Sequence, residues 1–377
     1  MLLRYIDLRF LVIFLVFAPS FLCANGTDKD HEKQLTDSII CLKNNSSSLS
    51  VDLFGGAIVG FRLDSTTINP FSWKEQREQM PENNKSGAIF QGHFLCLGRW
   101  GAPTKGEMMA GVPHNGQSCR DMWRVDSISN LFILMNSEAP LDGIIISRAV
   151  KIARKSPVFK VEEKIKNINT VGRLFNMVQH ATLGSPFLDS TTIVDTNAKE
   201  GFMQSMSYPN PSAFEYTWPI GFIDSSKNTL DLTRSSMHYS YVTTHIFSDS
   251  IGWVIASSPK RGLLVGYIWK TREYPWINIW NQLVDGKLWA KGLEFGTTGI
   301  GRSYPELLEK DTRFHGRNSF FFLDAKETVE KSYICFEIKI PVNFNGVSEV
   351  ILDKNKICIY EKKRIGNNKF SIPIQFD

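Results

Sequence analysis

The sequence predicts an all-β fold of antiparallel sheets in one large domain. Three observations carry this. Apolar residues recur at period two in segment after segment, the spacing of a half-buried strand. Stretches with the helical period are nearly absent. No internal repeat, low-complexity tract or mid-chain linker divides the 377 residues, a length that suits one large domain or two ordinary ones. The aromatic fraction of 12% fits a β-rich core. Net charge is only +5, with lysines and arginines scattered along the chain, so nothing marks a nucleic-acid surface.

The N-terminus reads as a secretory signal over residues 1–23. Arg4 and Arg9 lead into an uncharged run over 10–17, and small residues follow up to Cys23. A basic start, a short apolar stretch and small residues are the parts of an export signal, and the run is short for a bilayer span. Two processing routes are open. Cys23 is a candidate lipid anchor of the bacterial lipoprotein kind, with Leu22 where such signals prefer Gly or Ala. Cleavage after Ser20 or Ala24 by an ordinary signal peptidase is the other. Both predict an exported chain, periplasmic or tethered to a membrane. The polar stretch over 24–40 is expected to be a flexible tether, with the folded domain over 41–377.

Beyond Cys23 stand Cys41, Cys96, Cys119, Cys335 and Cys358. Their number is odd, their spacings are wide and none forms a Cys-x-x-Cys pair. Buried free thiols are expected for most of them; a Cys335–Cys358 bridge is the alternative.

Leu49, Val51 and Leu53 alternate with serine and aspartate, Gly55-Gly56 breaks the run, and residues 57–63 resume it. This predicts a hairpin. Residues 74–86 read as a charged surface loop. From 94 to 123 glycine and proline are frequent and periodicity is weak, so a long structured loop is expected, of the kind that often carries function. Strands follow over 123–125, 131–135, 144–146 and 149–152. The clearest alternation comes next: Phe159, Val161 and Ile165 on one face, Lys160, Glu162, Lys164 and Lys166 on the other, as in a sheet with one wet face. Glu163 interrupts the apolar face. Residues 175–180 form a strand ending near Gly184. The stretch over 197–235 is polar and weakly periodic. Strands return over 241–245, 252–256, 262–269, 333–340 and 350–360.

Against this β background, one carboxylate stands out. Glu294 lies in Gly292-Leu293-Glu294-Phe295-Gly296-Thr297, just after an aromatic run of Trp269, Tyr274, Trp276, Trp280 and Trp289. Indole faces cover the apolar faces of a pyranose, and a carboxylate accepts a hydroxyl proton. A sugar cleft needs both. Arg99, His114 and His180 also sit in or beside glycine- or proline-marked breaks.

Together these segments resemble the galactose mutarotase-like (aldose 1-epimerase-like) proteins, from about residue 49 to 341. The resemblance rests on Asn69-Pro70-Phe71-Ser72-Trp73, Gly98-Arg99-Trp100-Gly101 and Pro113-His114-Asn115-Gly116. It extends through residues 159–169, through His180 with Gly184-Ser185-Pro186, and through the Glu294 segment. Asn115 intrudes between His114 and Gly116, and the aromatic-Phe-Asn-Leu that follows the histidine in classical members is absent after His180, which marks a divergent branch.

The resemblance implies a β-supersandwich and an aldose 1-epimerase-like isomerase acting on a mono- or oligosaccharide. In that chemistry a base takes the C1 hydroxyl proton, an acid protonates the ring oxygen, and the opened ring recloses on the other face. Glu294 is the implied base and His180 the implied acid. His114 would stabilise developing charge, Arg99 would hold sugar hydroxyls, and Trp276 and Trp280 are candidates for sugar stacking. Asp189 is the candidate for a further sugar-binding carboxylate. No metal or organic cofactor is required. The chemistry sets the acid and base on opposite sides of the sugar, about one ring apart, with Glu294 ionised and His180 protonated. His93, His238, His245 and His315 are expected to be structural. Three other readings are open: a non-catalytic carbohydrate-binding protein on the same fold, a polysaccharide-active enzyme such as a lyase, and a zinc site through His114 and His180.

Overall fold

The computed structural model describes residues 38–362 and 368–376. The expected signal over 1–23, Cys23 and the tether up to residue 37 lie outside the described residues. The far end of the expected tether is a strand instead. Ile39–Lys43 pairs with Ser47–Asp52, and its Leu42 is fully buried in the core.

Two large sheets face each other. The first has ten strands, in spatial order Ile39–Lys43, Ser47–Asp52, Ala57–Leu63, His93–Leu97, Met177–Leu183, Lys287–Gly296, Trp276–Val284, Tyr241–Ile246, Glu200–Met203 and Tyr216–Thr217. The second has eight: Ile193–Thr196, Ile251–Ser258, Leu263–Lys270, Thr328–Lys339, Val158–Asn167, Ile144–Ile152, Phe132–Ala139 and Arg124–Ser129. Neighbouring strands run antiparallel in both. The three strands Val347–Asp353, Lys356–Glu361 and Lys369–Pro373 form a separate sheet. Its Val350, Ile357, Ile359 and Ile372 pack on Trp253, Ile255, Leu264 and Phe336 behind the second sheet.

The main core is what lies between the two large sheets. Leu95, Leu97, Ala181, Leu183, Ile277, Ile279, Leu293 and Phe295 enter it from the first sheet; Ile144, Ile146, Phe159, Val161, Val254, Val265 and Tyr267 enter from the second. Strand side chains alternate between faces. Residues 94, 180, 278, 280 and 294 therefore stand on the opposite, outward face of the first sheet. The placement of the site follows from that parity.

Glu163, which interrupts the apolar alternation, is buried for a reason. Arg148 on the adjacent strand donates to it from Nε at 2.8 Å, with Nη2 at 2.7 Å. From the opposite sheet, the Gln179 amide donates to its other oxygen at 2.7 Å, and the hydroxyl of Tyr274, in the segment that leads into Trp276–Val284, does so at 3.0 Å. His93 continues the chain of contacts, with Nε2 3.1 Å from Gln179 Oε1 and Nδ1 3.0 Å from the Tyr267 hydroxyl. Burial, with Arg148 nearby, holds His93 well below the usual imidazole range, so it sits there uncharged. These polar side chains link the two sheets through the middle of an apolar core.

Two elements next to the site were hidden from the alternation test. His93–Leu97 lies where a loop is expected from residue 94. All five of its residues are buried, and a strand covered on both faces shows no alternation. The strands Trp276–Val284 and Lys287–Gly296 form a hairpin. Its turn is Asp285-Gly286, both with positive φ, 49° and 70°, the conformation that Asp-Gly favours in two-residue hairpin loops. The α-helical segments Lys105–Met109, Gln204–Ser207 and Tyr304–Glu309 are one or two turns long. Cys41, Cys96, Cys119, Cys335 and Cys358 are all free thiols. The alternative Cys335–Cys358 bridge does not form: Cys335 faces the inter-sheet core, whereas Cys358 belongs to the covering sheet.

The Arg148→Met variant leaves the Glu163 carboxylate buried without its cation, which costs about 3–5 kcal/mol for a pair of this kind. Urea unfolding followed by tryptophan fluorescence measures the loss. A change under about 1 kcal/mol would show that this ion pair contributes little to joining the sheets.

Candidate active site

The centre of the site is a pair of residues on adjacent central strands. His180 and Glu294 stand directly opposite each other in the antiparallel register, and both point to the outward face. His180 Nε2 lies 3.2 Å from Glu294 Oε1. On its other side, His180 Nδ1 lies 2.9 Å from the Thr182 hydroxyl, two residues along the same face. Glu294 has room because Gly292 precedes it on that face: a Cβ on Gly292 would collide with the Glu294 carboxyl.

Aromatic rings enclose the pair. Phe94, on the strand neighbouring His180, stacks on the imidazole with centroids 4.3 Å apart and planes at 21°. Trp280 meets the same imidazole edge to face at 5.8 Å. Trp73, Trp280 and Trp289 touch one another edge to face at 5.2, 5.8 and 6.1 Å. Such pairs contribute roughly 0.5–1.5 kcal/mol each beyond their burial, so the three indoles form a coherent wall. Glu294 is only 1% exposed and His180 9%.

This enclosure sets the electrostatics. Burial pushes the Glu294 carboxyl well above the usual carboxylate range. It pushes His180 down to about 3, with His114 lowering it further. Desolvation disfavours the charged form of each. Burial thus favours a protonated carboxyl beside a neutral imidazole, the reverse of the charge states implied by the family resemblance.

His114 stands apart from the pair. Its ring packs on Phe90 at 6.2 Å, Phe90 stacks on Phe94 at 4.9 Å, and Phe94 stacks on His180. Two phenylalanine rings thus connect the histidines, and the zinc reading, which needs both on one ion, does not fit this arrangement. The Asn84 side chain clasps the His114 backbone, accepting from its N–H at 3.0 Å and donating to its carbonyl at 3.2 Å. Burial and then Arg99 hold the His114 pKa at about 4.

No protein-family model and no curated protein sequence matches the chain. Solved structures do. A galactose mutarotase related enzyme from Lactobacillus acidophilus aligns with a TM-score of 0.58 at 11% identity, covering 80% of this chain and 98% of its own. A galactose mutarotase-like protein from Clostridium acetobutylicum aligns at 0.56 and 13%, covering 80% and 95%. One from Lactobacillus casei ATCC 334 aligns at 0.55 and 10%, covering 80% and 100%. This chain has the galactose mutarotase-like fold. At such identities the likeness carries architecture, and chemistry has to be argued from the residues.

Within this mutarotase-like sandwich, several expected sugar contacts have other partners. Both terminal nitrogens of Arg99 donate to Glu107, at 2.9 and 3.1 Å, and Nη2 also lies 3.6 Å from Asp142. Its two terminal nitrogens are thus engaged in fastening the helix Lys105–Met109 to the Asp142 turn, Nε has no hydrogen-bond partner among the described residues, and Arg99 is 6% exposed. Trp276 is fully buried. It donates to the Asn318 carbonyl at 3.1 Å and packs on Phe202 and Phe314. It shares a sheet face with Trp280, but the backbone of Gly299 crosses directly over its ring, where a Cβ would collide. Trp276 is a core residue and no sugar platform. Trp269 and Tyr274 are core as well, packed around Phe295 at 4.4 and 5.3 Å on the inner face beneath Glu294. Asp189 serves its own turn, accepting from the Thr191 amide and hydroxyl at 2.7 and 2.6 Å.

The structure brings together His180, Glu294 and Trp280, links His114 to them through the phenylalanine stack and by its charge effect on His180, ties Arg99 to Glu107, and separates off Trp276 and Asp189. Phe94 and Thr182 join the site without a sequence signal of their own; Trp73 carries one through the segment over 69–73 and Trp289 through the aromatic run. His93 and His245 are structural, as expected, the latter held by Thr243 and the Lys199 carbonyl at 2.9 Å each. A groove of about 490 Å³ lies elsewhere, on the outer face of the eight-stranded sheet. Three of its lysines pair with carboxylates: Lys160–Glu162 at 2.7 Å, Lys164–Glu330 at 2.9 Å and Lys270–Glu273 at 3.2 Å. Lys331 and Arg272 line it as well, and it holds no histidine among the described residues.

Trp276 and Trp280 should separate cleanly in experiment. Trp280→Ala should weaken sugar binding by about 1 kcal/mol, read by calorimetric titration, with a modest effect on stability. Trp276→Ala should instead lower stability by about 3–5 kcal/mol in denaturant unfolding. Equal stability losses with unchanged titrations would remove Trp280 from the site.

Proposed function

We propose that this protein interconverts the anomers of an aldose, in the manner of aldose 1-epimerases, through His180 and Glu294. The observation that carries the reading is the 3.2 Å approach of these two side chains on one outward sheet face beneath a tryptophan wall. Mutarotation needs two proton carriers and no net change in their protons, which a carboxyl–imidazole pair supplies. O1 and O5 of a pyranose are bonded to the same carbon. The two carriers therefore have only to bracket one C1 edge of the ring, and a separation of a whole sugar is not required.

The resting charge states give the roles. The bare imidazole nitrogen takes the O1 proton while the Glu294 carboxyl gives its proton to O5. The C1–O5 bond breaks as the C1 carbonyl forms. Rotation about C1–C2 and the reverse transfers then close the ring on the other face and restore both residues. Acid and base exchange places between opening and closing, so either carrier serves in either direction. The low local polarity that keeps both groups neutral also strengthens their hydrogen bonds to the sugar.

Saturation-transfer NMR on a panel of aldoses tests the reading. Glu294→Gln and His180→Asn should each lower turnover by roughly a hundredfold or more, with sugar affinity largely kept. With His180 held at about 3 and Glu294 raised by burial, the rate should stay level across neutral and mildly acidic pH. It should fall towards pH about 3, where His180 takes a second proton, and above the raised pKa of Glu294, where the carboxyl ionises. An acid limb at the ordinary histidine pKa, about 6.5, would show that His180 works in a solvated site.

A second reading is a carbohydrate-binding protein without chemistry. The observation that favours it is the near-complete enclosure of Glu294 together with the occupied fork of Arg99. Sugar binding without anomer exchange would select it. A polysaccharide-active enzyme has less support, because the groove of the second sheet lies away from the pair. The export features of residues 1–23 further suggest a periplasmic or membrane-tethered protein. Mass spectrometry of the mature N-terminus checks this, and an intact Met1 on exported protein would refute it.

A further inference from the structure

The carboxyl–imidazole pair has a third member on the same strand. Thr182 follows His180 by two residues and so shares its face. Its hydroxyl lies 2.9 Å from His180 Nδ1 and 3.4 Å from the His180 carbonyl oxygen. Thr182 is fully buried, so no bulk water competes for either contact. A hydroxyl has one proton to give and lone pairs to receive. If it donates to the carbonyl, it must accept from Nδ1–H, and Nε2 is then bare. Nε2 is the nitrogen that faces Glu294 Oε1 at 3.2 Å. A protonated carboxyl there has its acceptor, and each donor in the series finds a partner: Glu294 to Nε2, Nδ1 to Thr182, Thr182 to the backbone. The opposite tautomer would turn the Thr182 proton towards Nδ1 and leave the carbonyl contact unused.

We propose that Thr182 is the positioning residue of this site, holding His180 as the Nδ1–H tautomer with Nε2 bare towards Glu294 and the sugar. Phe94 and Trp280 hold the plane of the ring, while Thr182 at Nδ1 and Glu294 at Nε2 distinguish its two nitrogens. The role in turnover rests on the anomerase reading above; the role in setting the tautomer does not. During ring opening the O1 proton passes to Nε2 and the Glu294 proton to O5. Nδ1–H stays with Thr182 throughout, so His180 becomes an imidazolium whose second proton already has its acceptor.

The test uses the full chain with nitrogen-15-labelled histidine. Two-dimensional NMR correlation of the ring nitrogens reports which one carries the proton. The wild type should show Nδ1 protonated and Nε2 bare at neutral pH. Thr182→Val, nearly the same shape, should redistribute the proton between the nitrogens and lower anomer exchange by roughly a hundredfold. Thr182→Ser, which keeps the hydroxyl, should retain the tautomer and most of the rate. Near-UV circular dichroism identifies a misfolded variant, and the Ser variant then decides the matter through its ring nitrogens. An Nε2–H tautomer in the wild type, or a Val variant whose ring nitrogens are unchanged, overturns the proposal. A wild type that exchanges no aldose anomers overturns the anomerase reading, while the nitrogen spectra still decide the part played by Thr182.

Discussion

The buried contacts of Gln179 and Glu163 are the constraint on which the rest of this structure depends. Gln179 points inward from the first sheet and meets a carboxylate that points inward from the second, where Arg148 neutralises it. Buried polar groups must be satisfied, so this contact fixes how the two sheets sit across the core. It also fixes parity. With Gln179 facing in, His180 must face out. Leu293 and Phe295 face in through the same core, so Glu294 faces out beside it. One choice of register thus places the carboxyl–imidazole pair, and a one-residue slip of the strand Met177–Leu183 would bury His180 among leucines and turn Gln179 to the outside.

What the outward face then does to the pair is a matter of covering. Taken alone, a histidine and a glutamate at 3.2 Å would form an ordinary ion pair. Here Phe94 lies flat on the imidazole and Trp280 stands against its edge. Desolvation disfavours both charges at once. Charge separation within the pair would regain Coulomb energy but would forfeit hydration for two ions, and that penalty in buried pairs often exceeds the gain. A neutral pair that becomes charged only as a proton crosses the sugar is poised for the transfer it would perform.

The polar residues around this centre support loops. Arg99 and Glu107 fasten a short helix, and Asn84 holds the backbone of His114. Glu107 keeps its charge despite partial burial because Arg99 and the Thr104 backbone hold it below the usual carboxylate range. These contacts hold loops and a short helix, and they show why a charged residue beside a glycine is weak evidence of a ligand.

The sequence by itself determined the β class, the position of most strands and the two residues at the centre. Period-two alternation is a local property, legible wherever a strand has one wet face, as over Phe159 to Lys166. Glu294 stood out because a carboxylate among apolar and glycine neighbours is rare, and the Trp280 and Trp289 that follow Trp276 lay within the same stretch. Tertiary structure alone decided the rest. The strand His93–Leu97 is buried on both faces and so has no period to read, which hid Phe94. Trp73 belongs to the site because chain folding brings it against Trp280 and Trp289, whereas Thr182 follows His180 along one strand face. Trp276 and Trp280 are equivalent in sequence, four residues apart on one face, yet the backbone at Gly299 covers one and leaves the other beside His180. Arg99 could be read as a sugar clamp until its partners were visible. Charge state was the least legible property of all, because a pKa is set by the water that neighbouring elements exclude, and no local pattern of residues records which elements those will be.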